Sequence, residues 1–252
     1  MNTVQKALAA WALALASTVA WGGGVTENLN YNVRFGYNIG ATTPLGMPAT
    51  IRSLESFKVK DNFLLGFDVQ KDFWGPWGLM AGLHVERKSM EVEAKVKSYH
   101  MEIVRGGESL SGNFTGRNVS EVDLQMVTVP LLATYKPSEK VVLKLGPYVS
   151  YVNTRVFKGY VYDGYLRKGD PTGQKIAIGS DSDTRGSYDF SSDLRRWQWG
   201  IDAGVDWHVA KRWGLYADLT WGLTGIHKSS FHTIEQTLYP IFGSLGVTYQ
   251  LR

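Results

Sequence analysis

Charged side chains recur at alternate positions in segments that are otherwise apolar. Arg34, Asp68, Glu86, Lys144, Asp202, Asp206 and Asp218 are the clearest, with His84 and His208 in similar settings. Gathered together, such groups could relay protons, pass ions or perform acid–base chemistry. They could also simply neutralise one another, because an isolated buried charge costs several kcal/mol. The motifs favour this second, structural reading. No G-x-x-x-x-G-K-[ST], H-E-x-x-H or G-x-S-x-G occurs. None of the five histidines (His84, His100, His208, His227, His232) is spaced as a metal pair on a strand. Ser180 to Asp183 resembles a calcium run but lacks the glycine and final glutamate of a calcium loop. No catalytic residue, cofactor or metal is therefore expected, and an acid–base or metal role for His227 and His232 is the lesser reading.

A second group of residues could bind rather than react. Tyr160, Tyr162, Tyr165, Tyr188 and Phe190 interleave with Lys158, Arg167, Lys168, Lys175, Arg185, Arg195 and Arg196. Aromatic faces stack on sugars or bases, and basic groups hold phosphates or carboxylates. Tyr160, Tyr162, Tyr165, Arg167 and Lys168 are the candidate ligand-binding set, for an anionic glycan, a lipid headgroup or a partner protein. The plainer reading is a loop drawn by charge towards anionic lipopolysaccharide.

The elements that must position these groups alternate apolar and polar with the strand period of two. Eight segments do so: Leu29 to Ala41, Phe63 to Gln70, Leu79 to Glu86, Val127 to Tyr135, Leu143 to Tyr151, Trp197 to Val209, Leu215 to Thr224 and Tyr239 to Leu251. The connections 72–77, 136–140 and 210–213 are short. Those over 42–62, 98–120 and 152–195 are long, and 225–236 is intermediate. A structureless loop as long as 152–195 is uncommon in a compact domain, so hairpin extensions are expected near Phe157 to Leu166. Val92, Ala94 and Val96, and Val122, Leu124 and Met126, are apolar on the opposite parity to their own segments. A bulge that re-aims the side chains is expected there, with the third and fourth strands continuing as a protruding hairpin.

The polar face distinguishes a membrane barrel from a soluble sandwich. It is rich in glycine (Gly36, Gly40, Gly66, Gly82, Gly146, Gly200, Gly204, Gly222, Gly246). Glycine weakens a solvent-facing strand and suits close backbone approach. A narrow eight-stranded barrel needs small residues inside. The apolar face carries Trp197, Trp199, Trp207 and Trp221, and Phe73, Trp74, Trp77, Tyr135 and Trp213 cluster at the short turns, as an interfacial girdle would. The expected fold is all-β: an eight-stranded antiparallel up-and-down transmembrane β-barrel with short periplasmic turns and long extracellular loops.

Composition agrees. The 252 residues contain 28 glycines and no cysteine, which excludes disulfides, cysteine zinc sites and a lipidated N-terminal cysteine. A mean hydropathy of -0.17 excludes a helical membrane bundle but not a barrel, whose strands average their hydropathy away. The pI of 9.1 accompanies a net charge of only +4 with no basic stripe, so nucleic acid is not an expected partner. Lys6, the uncharged stretch Ala7 to Ala20 and the small residues Thr18 and Ala20 read as a signal peptide over 1–20. Residues 21–252 then form the barrel domain.

The run Val129, Pro130, Leu131, Leu132, Tyr135, Lys136 and the later Gly146, Pro147, Tyr148, Val149, Tyr151 resemble the small outer-membrane β-barrel family of Bacteroidota-type bacteria that includes PorT-like proteins. Trp199 to Trp207 and Leu219 to Ile226 are similar to that family's final third. The resemblance implies an outer-membrane location, barrel-assembly machinery as an insertion partner, and contact with outer-membrane lipid and lipopolysaccharide. It supplies no catalytic set. The expected function is a non-enzymatic barrel with a side-chain-filled lumen, structural in the envelope or binding partners and glycans through its loops. The alternatives are a component of a protein-secretion apparatus, as PorT is, and an outer-membrane lipid-modifying enzyme.

Overall fold

The computed structural model describes residues 29–234 and 236–251, so the expected signal segment 1–20 lies outside the described residues, as does the side chain of Trp74. The described residues form eleven strands: β1 (Leu29–Pro44), β2 (Ile51–Val59), β3 (Phe63–Trp74), β4 (Trp77–Arg105), β5 (Glu108–Ser138), β6 (Val141–Lys168), β7 (Lys175–Ile178), β8 (Gly186–Asp189), β9 (Trp197–His208), β10 (Trp213–Gly222) and β11 (Leu238–Gln250). Eight of them pair antiparallel in a closed ring, β1–β3–β4–β5–β6–β9–β10–β11 and back to β1. Closure leaves no free edge in the ring. β2 lies outside it, paired only with the upper part of β4.

The long connections contain strand, with the protruding hairpin and the extension near Phe157 to Leu166 present as expected and β2 unexpected. Residues 98–120 are the far ends of β4 and β5, which meet at Gly106 (φ 56°) and Gly107 (φ 85°). Positive φ at both central residues is the type I′ geometry that matches strand twist. Residues 42–62 contain β2, and within 152–195 β6 runs on to Lys168 and returns as β7 and β8. Bulges blur the limits of these strands in the sequence. The β4–β5 register slips between Val96 and Tyr99, where Ser98 has a φ of 52°, and the β5–β6 register slips beside Gly116 and Asp163. Each slip resets the period of two that sequence reading relies on.

The parity change expected at Val92 and Val122 is a different phenomenon, and no bulge re-aims the side chains there. On β4 the even positions point inward as far as Val96: Met80, His84, Glu86, Lys88, Met90, Ala94 and Val96 are all buried. β5 does the same with Leu124, Met126, Thr128, Leu132 and Thr134. What changes is the character of the interior. Below, it is polar and the outward face is apolar, with Phe35 60% exposed and Leu65, Leu131, Ile201 and Leu219 also exposed. Above, the interior becomes a hydrophobic core that includes Ile103, Phe114, Leu124, Val161, Leu166 and Ile226. There the outward face turns charged, with the ion pairs Arg87–Asp123 and Arg117–Glu93. A single sheet thus forms an inside-out lower ring and a conventional, oil-centred cap.

The apolar band on β4 runs from Trp77 to Val85. At ~3.3 Å per residue that is about 27 Å along the strand, or about 21 Å of height at a barrel tilt of ~40°, close to the ~25 Å band of outer-membrane barrels. At the end with short turns, Trp77 lies against Tyr135 (4.8 Å) and Trp213 against Tyr249 (4.9 Å), all of them lipid-girdle residue types.

Candidate functional site

The lumen charges belong to strands whose alternate residues are glycine or small, which lets long side chains reach across the axis. A Cβ on Gly36 would lie 2.1 Å from the Tyr216 hydroxyl, and one on Gly82 would lie 2.1 Å from Asp68 Oδ1. Removing those methyl groups from the wall creates the space that Arg34 and its partners fill.

Arg34 is the centre, 1% exposed. Its Nε donates to Asp68 Oδ2 at 2.5 Å and its Nη1 to Asp218 Oδ2 at 2.7 Å, and Nη2 lies 3.6 Å from Asp206. Lys144 Nζ stands 2.7 Å from both Asp206 and Asp218. His84 Nε2 meets the second oxygen of Asp68 at 2.8 Å. Tyr216 roofs the cluster, its ring 4.7 Å from the Arg34 guanidinium and 5.6 Å from the Lys144 ammonium. Two cations therefore share three carboxylates, the arrangement that makes buried charge tolerable.

A second cluster sits higher. Lys88 Nζ lies 3.2 Å from Glu86, and Thr128 Oγ1 donates to the same carboxylate at 2.5 Å. Phe242 and Tyr148 present their ring faces to Lys88 at 5.5 and 5.9 Å. Of the seven lumen charges predicted from sequence, Arg34, Asp68, Lys144, Asp206 and Asp218 form one network and Glu86 the other. Asp202 joins neither. Its Oδ1 is buried without a hydrogen-bond partner among the described residues. Lys88 was missed, although continuing the alternation two residues past Glu86 finds it.

The arrangement is suited to holding charge still. Among the described residues the His84 ring is hydrogen-bonded to Asp68. No group of three or more metal-ligating side chains converges among the described residues. His227 faces the cap interior instead, with its ring stacked on Phe231 at 4.5 Å and edge-on to Phe157 at 4.9 Å. Burial pushes it down to about 4, partly opposed by Asp193. His232 is exposed. Ser180, from the calcium-like run, donates to Asp163.

The tyrosine-rich surface lies along the outer face of β6, while Val161 and Leu166 fill the cap core. The slip between Tyr162 and Tyr165 keeps all three tyrosines on that face. Their rings are already taken up by the protein's own cations. Arg185 lies over Tyr160 at 4.4 Å, Lys175 and Arg167 over Tyr165 at 4.1 and 5.7 Å, and Arg117 over Tyr162 at 6.0 Å. The Tyr162 hydroxyl donates to Glu93 at 2.5 Å, which holds that carboxyl below its usual range and raises the phenol. Arg167 donates to the Gly173 carbonyl at 3.2 Å, and Lys168 remains exposed.

With this geometry in hand, comparison with known proteins is informative. The sequence model of the family described as the outer membrane protein beta-barrel domain matches residues 18–228. The chain belongs to that family and is an outer-membrane protein. No curated protein matches the sequence. Among solved structures, Ail, the attachment invasion locus protein of Yersinia pestis, is 11% identical over 88% of this chain and 97% of that one, with a TM-score of 0.37. OprG from Pseudomonas aeruginosa is 14% identical over 88% and 96%, with a TM-score of 0.31. The translocator domain of the autotransporter NalP from Neisseria meningitidis is 9% identical over 97% of each chain, with a TM-score of 0.24.

Proposed function

Starting from membership of an outer-membrane β-barrel family, we propose that this chain is a non-enzymatic, non-conducting integral barrel, exported by a signal peptide over residues 1–20. Its eight-stranded ring anchors a folded cap outside the cell, and its short turns face the periplasm. The observation that carries this reading is the Arg34 network. Arg34 and Lys144 tie together Asp68 on β3, Asp206 on β9 and Asp218 on β10, which lie around the ring, so the axis is crossed by ion pairs. An eight-stranded lumen has room for side chains and little else. Contact with outer-membrane lipid and lipopolysaccharide, and with assembly machinery during insertion, follows from the same reading. The charged and aromatic exterior of the cap is the surface offered to partners.

Planar-bilayer recording tests this directly. The purified chain should insert without steady conductance, and the doubly truncated Arg34→Ala/Lys144→Ala chain should show ion leakage. Steady wild-type conductance would overturn the plugged reading. Recovery of the chain in stable association with envelope secretion proteins would move it to the PorT-like alternative.

A further inference from the structure

The cap is not fully packed. A cavity of about 240 Å³ lies inside it, walled by the end of β1, by β2 and by the upper part of β4. Its depth is set by Met90, Met101 and Phe157, and its mouth by Met47, Leu54 and Phe57. No charged residue among the described ones lines it. Asn118, Ser120 and Tyr188 border it, but they hydrogen-bond one another at 2.7–3.2 Å and leave nothing to offer. One lining group is left over: the Thr42 hydroxyl, buried and without a partner among the described residues.

Topology gives the cavity an entrance. β3 begins only at Phe63 and pairs with β1 no higher than Gly36, while β2 pairs only with β4. Above that level no strand pairing joins β1 to the β2–β4 sheet among the described residues. At the base Tyr37 donates to the Lys60 carbonyl at 2.7 Å and Asn62 to the Asn38 carbonyl at 2.9 Å, and above them the Thr42 N–H meets Met90 Sδ at 3.3 Å. Single contacts and not a strand ladder thus close the seam. Directly below it on β1 stand Phe35, Tyr37 and Ile39 of the outward apolar belt, and around it are Leu45, Met47, Leu54 and Phe57, all exposed. On the β1 side the outward apolar belt thus runs from Ile39 to Ala41 at the cavity wall, while on the β2 side Lys58 and Lys60, paired with Glu91, flank the mouth.

We propose that the cap receives one acyl chain of an outer-leaflet lipid through the seam between β1 and β2. The apolar lining excludes a headgroup, and methionines adapt to a flexible chain. The volume, below the ~300–1,000 Å³ of pockets for drug-sized ligands, fits a single chain and not the body of a lipid. The inference rests on the membrane placement of the β1 belt.

The test is photolabelling of the full chain in vesicles of a phosphatidylcholine whose acyl chain carries a diazirine, read by mass spectrometry. Label is expected on the β1 belt and also on Met101 and Phe157 deep in the cap. Leu54→Glu, at an exposed position, should lower cap label by about tenfold, the ratio set by roughly 1.4 kcal/mol, and leave belt label unchanged. Ala94→Phe, which fills the cavity, should do the same. Belt label without cap label in the wild-type chain overturns the proposal and leaves the membrane reading standing. Absence of both overturns the two together. Cap label indifferent to both variants also overturns it. So does cap label obtained with a free diazirine fatty acid and not with the phospholipid.

Discussion

Gly204 and Asp218 face each other across β9 and β10, and a Cβ on Gly204 would lie 1.9 Å from Asp218 Oδ1. Asp218 cannot swing away without leaving both Arg34 and Lys144. The missing methyl group on one strand thus holds the ion network on the next. Gly204→Ala should destabilise the chain by about 1–3 kcal/mol, the usual cost of overpacking. Gly243→Ala, whose Cβ would meet nothing closer than 3.7 Å, should be nearly neutral. Urea unfolding in lipid vesicles compares the two, and equal stability of the two variants would contradict the argument.

Arg34→Met should cost about 3–5 kcal/mol in the same assay, because Asp68 and Asp218 remain buried with less positive charge to meet them. Replacing Asp68 by Asn in that background should recover part of the loss. A double variant no more stable than Arg34→Met alone would refute the pairing.

Phe114 is fully buried in the cap, and Gly116 and Gly164 close on its ring. Phe114→Ala should remove about 3–5 kcal/mol from the packing of the cap. The ring of strands below does not depend on it. The variant should therefore keep the gel shift on boiling typical of an intact barrel while its cap becomes open to protease. Loss of both properties together would show that cap and ring fold as one unit.

His227 makes the cap sensitive to acid. Its folded value of about 4 lies below the ~6.5 of an unfolded histidine, so the unfolded chain binds the extra proton first. Its contribution is complete above about pH 6.5 and is lost as pH falls from there towards 4. Hydrogen exchange in the peptides around Phe157 and Phe231 should quicken across that window, and His227→Phe should flatten the response. An unchanged pH profile in that variant would assign the effect elsewhere.

The ring was legible in the sequence because its two faces meet different surroundings at every second residue. Tyr31 to Ile39 and Trp197 to Trp207 could hardly be read otherwise. Five of the seven predicted lumen charges form the central network for the same reason: inward parity and opposite sign leave few other partners. Asp202 has the right parity, but its reach across the axis depends on three-dimensional spacing that alternation does not encode. The cap was harder to read. Ser98, Gly116 and Asp163 each reset the period, and Val92 to Val96 looked inverted only because the interior had changed from ions to oil. The tyrosines looked like a free platform because the cations above them, Arg117, Lys175 and Arg185, come from other strands and turns.

That exchange of interiors has a mechanical consequence. Below Val85 the outside of β4 is greasy, and above it come Arg87, Glu91 and Glu93, while β5 brings Asp123 and Glu121 to the same height. Sinking by one pleat would drag these ions among hydrocarbon tails, and rising by one would strip Trp77 and Leu79 of theirs. The strands therefore carry their own depth stop, which seats the molecule vertically.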